Sequence, residues 1–427
     1  MTAHMSRRRF LQISALSAGA IATPLTINAL GSASSDTTQR RPLGAPGKEP
    51  RGPRRNGSNL LVIIEMAGGH DGFSTIVPYA DRRYQSLRSV TRVEQPITMS
   101  DGHGWHPALA HLARRGAAGV LGVGVADPNL SHFEMSQRWW SATPGGATPA
   151  SFGFLGRLCD EVGSADAPAV GVSIGGQVTP ALLSNVASTL AVGYDDLGAV
   201  PAPPESDVAR QVWLQTLEQF GRAADRDSPL AAAQTGIARA NRFGADVANL
   251  TAGEVEYPGG ALAQQLKLTA RLASANLGIR IIHIPWGSFD THTGHNESHA
   301  NQLTEFDAAV EVFRSDIARR GVDHRVVVAT TSEFGRRASD NASNGLDHGT
   351  ANNMIIFGTP VNTGLYGTPV DFARLDEDGN AKATTSMTDY YATLANWLGV
   401  DAARVLPKGS TPIEGLVNDL GRSRINA

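Results

Sequence analysis

Six short runs of nearly continuous apolar, β-branched-rich sequence punctuate the chain: NLLVIIEM (59–66), GVLGVGVA (119–126), APAVGVSIG (167–175), IRIIHIP (279–285), RVVVATTSE (325–333) and NNMIIFG (352–358). A strand covered on both faces has no polar side to show, so runs of this kind predict strands of a sheet enclosed between other layers. Helical spacing fills the intervals. Leu303, Phe306, Val310, Phe313 and Ile317 recur at three and four and form one apolar stripe, and residues 261–277 behave in the same way. Strands alternating with helices predict an α/β fold with a mostly parallel central sheet flanked by helices in three layers. The Pro-rich VPAPPESD (200–207) and the polar helical segment after it interrupt the alternation, so 176–260 is expected to be an insertion in one domain running from 59 to 427. No internal repeat is visible.

The N-terminus changes the picture of where this domain works. Ser6-Arg7-Arg8-Arg9-Phe10-Leu11-Gln12 is close to the S-R-R-x-F-L-K pattern of twin-arginine export signals; a mildly apolar stretch follows from Ile13 to Leu30, and Gly31-Ser32-Ala33 offers small residues for cleavage. Residues 1–33 are therefore expected to be a signal peptide and the protein to be periplasmic or extracellular. Gly19, Pro24 and Asn28 interrupt the apolar stretch, which argues against a stable membrane span. Residues 34–58, rich in Pro, Gly and Arg without a period, are expected to be a flexible linker.

Composition is that of a globular protein: 427 residues, 41% hydrophobic and 18% charged, enough to bury a large core. The basic charge is concentrated at the front. Residues 1–57 carry nine Lys or Arg and two Asp or Glu, leaving 28 basic and 38 acidic residues from Ser58 onward, a net of −10. So acidic a body excludes nucleic acid as a natural partner. The single cysteine, Cys159, lies in the helical pattern FLGRLCDEV and is expected to be a packed core thiol, with no internal disulfide framework.

Chemistry collects at the strand ends. After the first run comes Ala-Gly-Gly-His70-Asp71, and after the second Asp127-Pro-Asn129-Leu-Ser131-His132. FDTHTGHNESH, with Asp290, His292 and His295, follows the fourth; Glu333-Phe-Gly-Arg336 closes the fifth; Asp347-His348-Gly precedes the sixth. Loops beyond the carboxyl ends of a parallel sheet converge, so these segments are expected to share one rim. Carboxylate with imidazole suits zinc, manganese or iron, and carboxylate-rich subsites accept magnesium or calcium; two such ions could clamp a phosphoryl or sulfuryl ester while an Arg holds its oxygens. Asp290 with His292 or His295 is the leading metal-ligand set. His103, His106 and His111 are expected to be solvated or hydrogen-bonded side chains, and His283 to pack in the core. Trp139-Trp140 is expected to pack, Asp376-Glu-Asp378-Gly379-Asn380 to form a hairpin turn, and no P-loop motif occurs.

The export signal together with LVIIEMAGGHDGFSTIVPY, WHPALAHL, SHFEMSQRW, FDTHTGH, SEFGRRASDNASNGLDHGTANNMIIFG and TDYYATLANWLG resembles the bacterial exported proteins of domain-of-unknown-function family 1501, over about residues 6–420. That family belongs with the alkaline phosphatase and sulfatase superfamily. The resemblance implies an alkaline phosphatase-like sandwich and one metal on Asp290, His292 or His295, and His348, with Glu333 on the neighbouring strand. It departs at two places: the superfamily's first Asp falls near Gly68, with Asp71 three residues later, and its Asp-His pair reads Glu333-Phe334, where Asp347 could substitute. Ser131 beside His132 is the candidate nucleophile, with Ser74 and Thr75 behind it, and Arg336 the candidate oxyanion holder. The implied activity is an exported, metal-dependent hydrolase of phosphate or sulfate esters, using zinc or else manganese, iron, calcium or magnesium, on a small-molecule or polymer-borne anionic ester. The alternative is a catalytically degenerate cell-envelope binding or assembly protein with a secreted protein partner.

Overall fold

The computed structural model describes residues 58–146, 152–164, 167–193 and 255–418, the backbone of Leu25–Ile27 and scattered positions between 236 and 250. The twin-arginine motif, residues 28–57 and VPAPPESD lie outside the described residues.

All six apolar runs form strands: β2 (Leu60–Met66), β6 (Ala118–Gly124), β7 (Gly171–Ile174), β9 (Ile281–Trp286), β10 (Val326–Thr331) and β11 (Asn352–Phe357). Among the described residues ten strands make the central sheet. It also takes in β1 (Leu25–Ile27), β8 (Thr189–Val192), β12 (Gly364–Gly367) and β13 (Thr385–Ser386), in the order β1-β8-β7-β9-β2-β10-β11-β6-β12, with β13 on β6. The pairs β7–β8, β7–β9, β2–β9, β2–β10, β6–β12 and β6–β13 are parallel. β11 runs antiparallel to both β10 and β6, and β1 antiparallel to β8. The sheet is thus mixed and mostly parallel. β8 arises inside the span expected to be an insertion; four residues, TLAV, are too short a run to stand out by pattern.

The near-continuous apolar character of the strands follows from burial on both sides. Leu60, Val62, Ile64 and Met66 of β2 enter one core cluster, Leu61 and Ile63 the other, and β10 divides likewise into Val326 and Val328 against Val327 and Ala329. The first face is covered by α6 (Ala261–Ser274) and α7 (His295–Arg319), whose Leu303, Phe306, Val310, Phe313 and Ile317 are all buried in that cluster. The second is covered by α4 (His132–Ser141), α5 (Phe154–Val162) and α8 (Met387–Trp397). Cys159 sits in this second core, wholly buried, and burial pushes its thiol far up, out of reach of nucleophilic chemistry. Among the described residues no helix is long and apolar enough to cross a membrane.

Candidate metal centre

Because β2, β6, β9 and β10 point the same way, the segments that follow them emerge on one rim, and the reversed β11 begins there. That is why His348, which precedes a strand, meets residues that follow strands. The loop after β2 reaches the rim through Gly68, at φ +104°, where an added Cβ would lie 2.7 Å from the Asp290 amide nitrogen. No side chain fits at the position where the superfamily pattern would put an aspartate. The loop before β11 is equally close to its neighbour: a Cβ on Gly345 would lie 2.1 Å from the His292 carbonyl oxygen.

Three imidazoles and one carboxylate converge here. His348 Nε2 lies 3.0 Å from His132 Nε2, 3.0 Å from His292 Nε2 and 3.1 Å from Asp290 Oδ1. Asp290 Oδ1 is 3.1 Å from His292 Nε2, and its Oδ2 is 3.6 Å from His132 Nε2. His132, Asp290 and His348 can each point one donor atom at a shared position, which makes them a ligand triad in geometry. His292 Nε2 approaches two of the three, His348 and Asp290.

Behind each imidazole stands an oxygen. His132 Nδ1 is 2.7 Å from Glu333 Oε1, His292 Nδ1 2.9 Å from Asp347 Oδ1, and His348 Nδ1 2.8 Å from the Leu130 carbonyl oxygen. A carbonyl can only accept, and both carboxyls are held below their usual range: burial opposes this in Glu333, but His132 and the amides outweigh it, and Asn341 and His292 do the same for Asp347. All three Nδ1 atoms therefore donate, which leaves the Nε2 lone pairs of His132 and His292 each facing that of His348 at a hydrogen-bond length. Lone pairs so crowded repel unless a proton or a cation lies among them. Burial keeps His348 below its ordinary value, neutral near pH 7, whereas Glu333 raises His132. Partial burial would lift the Asp290 carboxyl, yet Arg336 and His348 hold it at about 2, so it is ionised.

Arg336 is fully buried, and its guanidinium is spent on the protein itself. Nε donates to the Gly69 carbonyl at 2.6 Å and NH1 to that of Leu346 at 3.0 Å, while NH2 donates to the carbonyls of Gly68 and Phe289 and to Asp290 Oδ1 at 2.8 Å. It ties three rim loops together and aims Asp290; those donors are not directed at a ligand. Phe334 lies with its ring 4.7 Å from that of His132 and 4.6 Å from that of His348, a floor that fixes both orientations. Ser131 is the exposed N-cap of α4, directly before His132; its hydroxyl makes no capping bond, and its amide donates to Asn129 Oδ1 at 2.7 Å.

The chain matches the model of the family described as a protein of unknown function, DUF1501, over residues 116–422, well over half its length. It belongs to that family. No curated protein matches it. Solved structures similar to this DUF1501 chain include a lipoteichoic acid synthase from Listeria monocytogenes, at 9% identity and TM-score 0.37, covering 83% of this chain and 74% of the other. A sulfatase from Pseudoalteromonas sp. shows 9% identity and TM-score 0.37, covering 84% and 74%. A protein in the alkaline phosphatase superfamily from Vibrio parahaemolyticus shows 10% identity and TM-score 0.36, covering 84% and 71%.

The remaining sequence candidates of the DUF1501 chain gather on the other side of the 290–295 loop. Asp71, fully buried, is gripped by both guanidinium nitrogens of the buried Arg88 and lies 3.1 Å from His295 Nε2. Burial alone would raise the Asp71 carboxyl, but Arg88 and His295 hold it well below the usual range. Ser74 Oγ accepts from Arg88 at 3.0 Å, and Thr75 Oγ1 donates to the Asp71 carbonyl at 2.9 Å. Asp71, His295, Ser74 and Thr75 thus belong to a separate buried network, and the structure does not bring them to the three imidazoles. Removing one partner of such a pair strands a buried charge. Arg88→Ala is expected to lower stability by about 3–5 kcal/mol, seen as a fall in the denaturant midpoint at unchanged slope; an unchanged midpoint would mean that water reaches Asp71. His103 and His111 are hydrogen-bonded as expected, the first to the Asp101 carbonyl, the second to Arg114. His283 is buried in the sheet but pairs with Glu65 at 2.8 Å, a partner that its apolar setting did not announce.

Proposed function

We propose that this protein is an exported hydrolase of phosphate or sulfate esters that holds a divalent metal on His132, Asp290, His292 and His348. The observation that carries this reading is that the Nε2 lone pairs of His132 and His292 are both directed at that of His348, beside Asp290, each imidazole fixed by an oxygen on its own Nδ1. Ligands around one ion of zinc's size stand roughly 3.3 Å apart, and oxygens behind ligating imidazoles are what orient them. Glu333 and Asp347 then serve as the acceptors behind His132 and His292, and Arg336 positions Asp290. Three nitrogens and one carboxylate favour zinc, iron or manganese over calcium or magnesium. Bound there, such an ion would polarise the ester and offset the charge that develops on it.

Ser131 is the nucleophile in this reading. It lies beside His132 at the N-terminus of a ten-residue helix, where amide dipoles favour an anionic substrate. The motif resemblance to the phosphatase and sulfatase superfamily supports the same reaction class. Elemental analysis of chelator-free protein tests the metal; hydrolysis of nitrophenyl phosphate and nitrophenyl sulfate by wild type and Ser131→Ala tests the chemistry. A loaded protein with no activity on either, or with activity indifferent to Ser131→Ala, would sink the nucleophile assignment.

The second reading, an envelope binding or assembly protein on the same fold, is favoured by one observation: among the described residues only one such ligand group is found, where two-ion ester chemistry uses two. A protein purified without metal would favour it. Export rests on the twin-arginine pattern. Replacing Arg7 and Arg8 together with Lys is expected to retain the protein in the cytoplasm, and unchanged export would remove the assignment. Cleavage near Ser34 would release β1 and leave β8 at the sheet edge.

A further inference from the structure

The oxygens behind the three imidazoles are not equally anchored. The Leu130 carbonyl behind His348 belongs to the main chain, and Glu333, behind His132, has a side chain only 5% exposed that also accepts the Gly68 amide at 2.9 Å. Asp347, behind His292, has a side chain 46% exposed. A carboxylate so open to water gains little by turning to an imidazole instead, so a further bond must keep it there. Asn341 makes that bond. Its Nδ2 donates to Asp347 Oδ1 at 3.1 Å, and the same nitrogen donates to the His292 carbonyl oxygen at 2.9 Å. His292 is thus gripped at both ends, its backbone directly and its ring through Asp347.

The orientation of the Asn341 amide is fixed by its partners. Oδ1 meets the backbone amides of Ser343 and Gly345, both at 2.9 Å, which only donate; Nδ2 meets a carbonyl and an ionised carboxyl, which only accept. All four bonding positions of the side chain are filled, so none is left for a substrate. The oxygen half folds the 341–345 turn onto itself, as asparagine commonly does in turns. The nitrogen half adds nothing to that turn and reaches across to the 290–295 loop. The two loops also meet through backbone bonds, Leu346 to Thr291 and His295 to Asn344, both 3.2 Å, which set them side by side without holding the His292 ring.

We propose that Asn341 is the positioning residue of His292, holding Asp347 against Nδ1 so that Nε2 keeps its lone pair toward His348 and the ion, an inference that rests on the ligand role given to His292. Without that hold the carboxylate at 347 turns to water and Nδ1 loses its acceptor. The imidazole is then free to rotate, or to carry its proton on Nε2, where it excludes a cation. Nothing in Asp-Asn-Ala-Ser-Asn-Gly (340–345) separates such an asparagine from an ordinary turn former.

Asn341→Asp separates the two halves of the amide: the new carboxylate still accepts from Ser343 and Gly345, but it repels Asp347 where the amide held it. Titration of the full-length protein with zinc against a chromogenic chelator should give a dissociation constant about tenfold or more above wild type for this variant. The denaturant midpoint of the zinc-free variant should stay near that of wild type. Nitrogen-15 NMR of zinc-free, histidine-labelled protein, at a pH where the ring is neutral and with His292 assigned by its absence in His292→Ala, reads the tautomer itself. The proton should sit on Nδ1 in wild type and move in part to Nε2 in Asn341→Asp and Asn341→Ala. Because Asn341 acts through Asp347, the zinc affinity lost in Asn341→Ala and in Asp347→Ala should fall short of multiplying in the double variant. A wild-type zinc constant and tautomer in Asn341→Asp would overturn the assignment, and so would losses that multiply in full, which would leave Asn341 a turn former only. Should Asn341→Asp lower the midpoint as well, the double variant decides. Wild-type protein that takes up no zinc would remove the metal reading, and the His292 tautomer would then decide alone.

Discussion

His348→Ala is expected to take the metal content from about one ion per chain to near zero and to lower the melting temperature of protein purified without chelator. His348 Nε2 is the hub of the cluster, within 3.1 Å of a donor atom on each of His132, His292 and Asp290, so its loss removes the ligand that the others surround. Metal bound only by the folded state adds stability by mass action, about 4 kcal/mol when the free ion stands a thousandfold above its dissociation constant. Glu333→Gln and Asp347→Asn should act more mildly. They keep the ligands but weaken the acceptors behind two of them, a change that costs roughly 10–100-fold in affinity at comparable sites. His324→Ala is the control: His324 precedes β10 and so stands at the opposite end of the sheet from the rim. Metal retained by His348→Ala at the wild-type level would move the site elsewhere; metal lost from all variants, His324→Ala included, would show only fragile loading.

The chain announces its strands plainly because each is buried on both faces: alternate residues of LLVIIEM enter different cores, and no polar position breaks the run. The stripe from Leu303 to Ile317 announces α7 for the complementary reason, one face buried and one wet. Direction is harder to read. Nothing in NNMIIFG says that β11 is reversed, and that reversal is what brings His348 to the rim from the front of a strand. The rim as a gathering place for Asp, Glu and His was legible from strand ends. The division of labour within it was not, because a carboxylate that would hold a metal and one that holds a histidine's Nδ1 look the same in sequence. Glu333 and Asp347 became backing groups only once their distances to His132 and His292 were known. Asp71 and His295 show the same limit. Both sit at strand ends, but the turn at Gly68 and the helix that begins at His295 face them away from the imidazoles toward Arg88, seventeen residues beyond Asp71. His106, expected to be an ordinary hydrogen-bonded side chain, keeps a bond to the Ala108 amide and lines a cavity besides. A lone histidine carries no signal of a cavity formed by helices distant in sequence.

The same buried histidines make the fold acid-labile. Burial lowers His70 and His106 to about 4 and His299 well below its ordinary value, while in the unfolded chain each titrates near 6.5. Between those limits the unfolded state binds more protons than the folded one, so stability falls as pH falls, by about 1.4 kcal/mol per pH unit for each group fully titrating. The contribution is fully present above pH 6.5 and is lost on going down to about 4, roughly 3 kcal/mol apiece for His70 and His106. His132 acts in the opposite sense. Glu333 raises it, so its contribution is present at low pH and fades as pH rises through the raised value, but it is one group against three. Asp71 and Asp290, held low by their cationic partners, stay ionised through most of this window and soften nothing. Denaturant titrations from neutral pH to about 4.5, with chelator present so that metal release does not contribute, should therefore show a steep fall in unfolding free energy. His299→Leu should start from a lower stability and fall less steeply, by about one proton's worth of slope. A stability that stays flat across this range would mean that water already solvates these imidazoles, and the closed network around Thr75 would have to be given up.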